Sequence, residues 1–160
     1  MKTLFSLIVI SCLLCCDSDS KFPLLSREDY LKRVTIDEGV WGTLEFWEGD
    51  FMPSIPHHSG NRYAVEREVL IYEAVYWNTA KRVEASFYDS IPTPLVTTVN
   101  SDHQGFFQAK LSPGTYSIFV RENGLLYQNL TSGSGYIGEV VVQSQAVTEY
   151  DFDITYKATF

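Results

Sequence analysis

The chain has 160 residues, with 12 Lys+Arg against 20 Asp+Glu and a formal net charge of −8. Its three cysteines, Cys12, Cys15 and Cys16, all lie near the N-terminus, which excludes a disulfide framework, a Cys-based zinc site or a thiol nucleophile from the body of the protein. The acidic balance argues against nucleic acid as a partner, because phosphate recognition needs a basic stripe, and the length fits one domain.

Met1-Lys2 precedes an apolar run from Leu4 to Leu14. That run is shorter than the about 20 residues a bilayer span requires, and it reads as the core of a secretory signal peptide. The segment Val9-Ile10-Ser11-Cys12-Leu13-Leu14-Cys15-Cys16 resembles the lipobox of bacterial lipoproteins. In that family the cysteine after the apolar run is lipidated and starts the mature chain. Hydrophobic-core length favours Cys16. Cys12, preceded by the small Ser11, is the alternative. The expected organisation is a signal peptide at 1–15, a lipid-anchored tether at 16–36 and a domain at 37–160. The expected address is the cell envelope: outer membrane, on its periplasmic side or at the cell surface. The lipid makes the membrane one partner.

Within the tether, Ser26-Arg27-Glu28-Asp29 carries a helix-start pattern for one or two turns through Tyr30, Leu31 and Val34. From Gly39 the chain turns β-like. Val40, Gly42, Leu44 and Phe46 alternate with Trp41, Thr43, Glu45 and Trp47, the period of two of a strand. Gly49 to Arg62 reads as a long loop with Pro53, Pro56 and Gly60. Val65 to Glu73 is a second strand whose centre is apolar on both faces. Val83–Tyr88 and Val96–Asn100 are shorter strands, and Ser101 to Gly105 is a turn. Phe106–Leu111 and Thr115–Arg121 follow, separated by Ser112-Pro113-Gly114. Asn123-Gly124 marks a hairpin turn, since that pair takes positive φ at low cost. Leu125–Leu130, the Gly/Ser loop from Thr131 to Gly135, Ile137–Val142 and Val147–Tyr156 complete the chain. Short strands with turn chemistry between them predict an all-β sandwich or barrel. The alternation from Tyr150 to Phe160 also fits the last strand of a membrane barrel, but several strands are shorter than a barrel span needs.

Two stretches carry a family resemblance. They are Thr98-Val99-Asn100-Ser101-Asp102-His103-Gln104-Gly105-Phe106-Phe107 and Leu111-Ser112-Pro113-Gly114-Thr115-Tyr116-Ser117-Ile118-Phe119-Val120. An acidic turn, Gly, aromatic residues and a strand, then Pro-Gly-x-Tyr and an apolar strand, resemble the signature of carboxypeptidase regulatory-like domains. The resemblance implies a prealbumin-like (transthyretin-like, Ig-like) Greek-key β-sandwich of about seven strands. It also implies an accessory role without catalysis.

Among chemistry-bearing residues, Trp41, Glu45, Trp47, Glu48 and Asp50 form the most suggestive cluster. Flat rings beside carboxylates suit a sugar site, and paired carboxylates can cleave glycosides. His57-His58, with Met52 nearby, lacks the three or four ligands of a stable metal site, so no metal is expected. No cofactor motif stands out, and no Ser-His-Asp pattern does either. The expected function is a non-enzymatic, membrane-anchored lipoprotein. Its sandwich binds or positions an envelope or extracellular partner, protein or glycan, through the 49–62 loop or the 131–135 loop. Two alternatives stay open: a structural accessory or spacer subunit of an envelope complex, and a small glycan-active enzyme using Glu45, Glu48 or Asp50.

Overall fold

The structure is a computed structural model that describes residues 21–53 and 59–160. Cys12, Cys16, His57 and His58 lie outside the described residues. One short helix, α1 (Arg27–Leu31), precedes β1 (Gly39–Asp50), β2 (Asn61–Ala64), β3 (Glu68–Glu73), β4 (Lys81–Glu84), β5 (Phe87–Ser90) and β6 (Leu95–Asn100). There follow β7 (Phe106–Lys110), β8 (Gly114–Glu122), β9 (Leu125–Tyr127), β10 (Glu139–Val142), β11 (Val147–Glu149) and β12 (Phe152–Thr159). No helix among the described residues is long and apolar enough to cross a membrane.

The strands form two sheets, one of five and one of seven strands, that make an all-β, Ig-like sandwich. The long β1 is the axis of the first sheet. Its first half pairs in parallel with β11 and antiparallel with β7. Its second half pairs in parallel with β12 and antiparallel with β2. The second sheet runs β4-β5-β9-β8-β3-β6, with β10 also on β8.

Alternation on β3 and β8 explains the layering. Val69, Ile71, Ile118 and Val120 point inward and meet Val40, Leu44, Phe46, Phe107 and Phe152 of the first sheet. Leu70 and Phe119, one residue out of phase, face the other way. There they join Val75, Tyr88, Leu126 and Ile137 in a second cluster. The second sheet is therefore apolar on both faces, and the chain that covers its outer face builds a surface groove.

The outer face of β1 is covered as well. Ser26 caps α1 with its side chain accepting from the Asp29 N–H. Tyr30 then packs with Trp41 and Phe106, flanked by Leu25 and Val34. Phe22 bridges Ala64. From Phe22 onward, the stretch expected to be a tether is thus packed onto the sheet. The apolar side chains at 22, 25, 30 and 34 find a face to bury, which a solvated tether would not offer them.

Other differences concern strand limits. The segment expected as one strand over Val83–Tyr88 is a hairpin, with β4 and β5 either side of Ala85-Ser86. Part of the expected 49–62 loop is strand, since β2 pairs Asn61 to Ala64 with Glu48 to Glu45. The last expected strand divides into β11 and β12 at Tyr150-Asp151. The result is twelve strands among the described residues, where about seven were expected.

Candidate functional site

The five residues singled out on β1 do not form one site. Period two separates Trp41, Glu45 and Trp47 from Glu48 and Asp50. Trp41 is only 3% exposed and lies 6.2 Å from the Phe106 ring, packed under α1 with little surface left for a ligand. Glu45 accepts from Arg62 Nη2 at 2.6 Å and Nε at 3.1 Å. The same guanidinium sits 4.2 Å above the Trp47 ring. Glu48 pairs with Lys21, whose ammonium holds its carboxyl below the usual carboxylate range, and it accepts from Tyr63 Oη at 3.3 Å. Asp50 Oδ1 accepts from the Met52 N–H at 2.8 Å and closes a turn.

Other carboxylates stand near Glu45. Asp153 is its register partner on β12, and burial together with the Glu45 charge pushes its carboxyl up, against the pull of Arg62. A cavity of about 140 Å³ under α1 is lined by Arg27, Trp41, Glu45, Glu149 and Asp151 among others. Arg27 fills part of that opening by forking onto Glu149. Glu45 answers Arg62, Glu149 answers Arg27, and Asp151 accepts from the Thr43 N–H and hydroxyl.

A wider groove, of about 440 Å³, lies on the outer face of the second sheet. It is built from the segment after β3, from β4 and from the 131–135 loop. Val75 and Ile137 are fully buried, and their backbones bond to each other at 2.9 Å. The buried Ser117 hydroxyl accepts from the Val75 N–H at 2.9 Å. These anchors leave the next residues at the surface. Tyr76 and Trp77 are 42% and 53% exposed, with ring centroids 6.5 Å apart. The Trp77 N–H donates to Gly135 O at 2.9 Å, tying the aromatic pair to the loop.

Gly135 must be glycine. Its φ is +90°, and a Cβ would stand 2.5 Å from the Tyr76 ring. The loop is held internally. Ser132 and Ser134 hydroxyls meet at 2.7 Å, and Ser134 donates to Glu139 at 2.5 Å. These two hydroxyls lower the Glu139 carboxyl. Arg82 closes the far side, its guanidinium over the Tyr88 ring and 3.1 Å from the Tyr88 hydroxyl. The lining residues thus bring two exposed rings, three hydroxyl side chains and one cation, with no carboxylate among them.

Sequence reasoning named the 131–135 loop but missed Tyr76, Trp77 and Arg82. A signal was present: two adjacent large aromatics ahead of Asn78-Thr79 cannot both enter a core. His103, read as part of a turn, packs edge-on against Phe22 at 5.1 Å. Among the described residues no group of three or more His, Cys, Asp or Glu is placed to hold a metal ion. Comparison with known proteins finds no matching family model, no matching curated protein and no matching solved structure.

Proposed function

We propose that this protein is a non-enzymatic, lipid-anchored envelope protein whose sandwich binds a glycan in the Tyr76–Trp77 groove. The observation that carries the reading is the pairing of two exposed, backbone-anchored rings with a rigid hydroxyl-bearing loop. A sugar ring has apolar faces that cover aromatic surface and a rim of hydroxyls that exchange hydrogen bonds with Thr131, Ser132, Ser134 and loop backbone. The groove volume lies within the range of small-ligand sites. Arg82, with no carboxylate in the lining, favours a sugar carrying a carboxylate, since a guanidinium meets that group in a two-pronged fashion.

The cysteine cluster supports the anchor, with Cys16 as the lipidated residue. The Asp102–Phe107 and Pro113–Tyr116 patterns support kinship with carboxypeptidase regulatory-like domains. Of the carboxylates of the enzyme alternative, Glu45 and Glu48 are each engaged by a cation and Asp50 accepts from the Met52 N–H.

A glycan array holding neutral and uronate- or sialate-containing oligosaccharides tests the reading. Binding to acidic members is expected, weakened by about tenfold or more in Trp77→Ala and in Arg82→Gln. Uniform absence of binding, or binding untouched by both substitutions, contradicts it. The spacer alternative rests on a different feature. β6 ends its sheet, carries no charge, and exposes Leu95 and Val96 at 50% and 43%. Such an edge accepts another strand. If the array is blank and β6 amides gain exchange protection inside an envelope complex, that alternative is favoured.

A further inference from the structure

The end of the first sheet carries an aromatic cap, and one of its residues, Phe160, also borders a groove of about 430 Å³ with Phe87, Tyr127 and Tyr156. At the close of β1 the Phe51 N–H donates to Thr159 O at 2.8 Å, which brings Phe51 beside the C-terminal Phe160. Trp47 lies 5.1 Å from Phe51 and 6.1 Å from Phe160, and Phe51 and Phe160 stack at 5.7 Å. Phe160 is 65% exposed and Met52 43%, while Trp47 and Phe51 are half-buried beneath them. Arg62 stands over Trp47 while it pairs with Glu45, and Lys157 near Phe46 and Lys21 on Glu48 stand at the same end off the other face of β1.

What covers this cap follows from Lys21. It sits at the same end, 4.9 Å over the Tyr63 ring, beside the strand that leads into the cap. Four residues separate it from Cys16, and the five steps of chain between them span no more than about 18 Å. A lipid on Cys16 therefore holds this end within reach of the bilayer surface. Tryptophan with flanking Lys and Arg is also the composition that suits the water–lipid interface, where rings enter the headgroup layer and cations meet phosphates.

We propose that the Trp47–Phe51–Phe160 cap rests on the membrane that carries the anchor, with its rings and Met52 among the lipid headgroups. The inference depends on the lipid-anchored reading above. Docking by this end leaves the Tyr76–Trp77 groove open, since none of the cap residues contributes to it.

The test uses the full lipid-bearing chain in phosphatidylethanolamine–phosphatidylglycerol vesicles, with and without brominated acyl chains near the headgroups. The chain has three tryptophans. Bromolipid is expected to quench emission of the wild type and of Trp77→Phe. In Trp47→Phe the quenching is expected to disappear. In Phe160→Ser, altered only at an exposed position, it should fall roughly twofold. Protein that floats with the vesicles but keeps the same quenching in Trp47→Phe, or shows none, overturns the docking proposal and leaves the anchor intact. Shielding of Trp47 from aqueous acrylamide without bromolipid quenching assigns the cap to a second copy instead, and also overturns it. Protein that fails to float, or floats unchanged as Cys16→Ser with Cys12→Ser, overturns the anchor and the docking together.

Discussion

Glu122 is 4% exposed, and its carboxylate is answered by Arg67 and by the Tyr156 hydroxyl at 2.9 Å. Removing the cation strands a buried charge, so Arg67→Met is expected to cost about 3 kcal/mol, read as a shift in the urea midpoint. Asp102 shows how a turn stores a pH dependence. Burial raises its carboxyl, but Arg33 and the backbone N–H groups of Gln104 and Phe106 outweigh burial and lower it overall. A depressed folded value means the contribution is complete above the ordinary carboxylate range. It is lost as pH falls through the folded value. Asp102→Asn should therefore flatten part of the acid limb of stability against pH. At the alkaline side, burial raises the hydroxyls of Tyr150 and Tyr156 to about 12, helped at Tyr156 by Glu122. The unfolded chain ionises first, so stability should fall between the ordinary tyrosine value and about 12. A tyrosinate absorbance titration checks this: its latest-ionising phase should shrink by one tyrosine in Tyr150→Phe.

At the level of elements, α1 is attached through one side chain above all. The Tyr30 hydroxyl donates to Gln104 O at 2.7 Å and accepts from the Leu25 N–H at 3.2 Å. Tyr30→Phe is expected to cost about 1 kcal/mol and to speed proteolysis before residue 35 without unfolding the sandwich. Elements whose signal is local were legible in the sequence. β1 shows its alternation from Gly39. Asn123 and Gly124 turn at φ of 51° and 79°. Asp102 Oδ1 receives the Gln104 and Phe106 N–H groups at 2.9 and 3.1 Å, and Gly105 takes φ of +75° where a Cβ would meet Leu44 O. Elements defined by long-range pairing were not legible. β4 is exposed at every residue, so it carries no alternation, and only β5 makes it a strand. β2 hid among loop residues because β1 supplies its partner. The Glu45–Trp47 cluster looked like a sugar site for the same reason: Arg62 and Lys21, which neutralise it, come from elsewhere in the chain.

For the whole molecule, the decisive feature is a second sheet with two apolar faces. One face makes the sandwich core. The other recruits the segments around Val75 and Ile137, and their surface residues become the groove. A sheet covered only on one side would have left Tyr76 and Trp77 without a support. The three tryptophans report on three places: Trp41 under α1, Trp47 in the cap and Trp77 in the groove. A titration of the folded protein with an acidic oligosaccharide, followed through the three indole N–H resonances, therefore tests the central claim most directly. The account predicts that the Trp77 signal moves and saturates while Trp41 and Trp47 stay in place. Movement of Trp47 with Trp77 unchanged, or no movement of any indole, would contradict it.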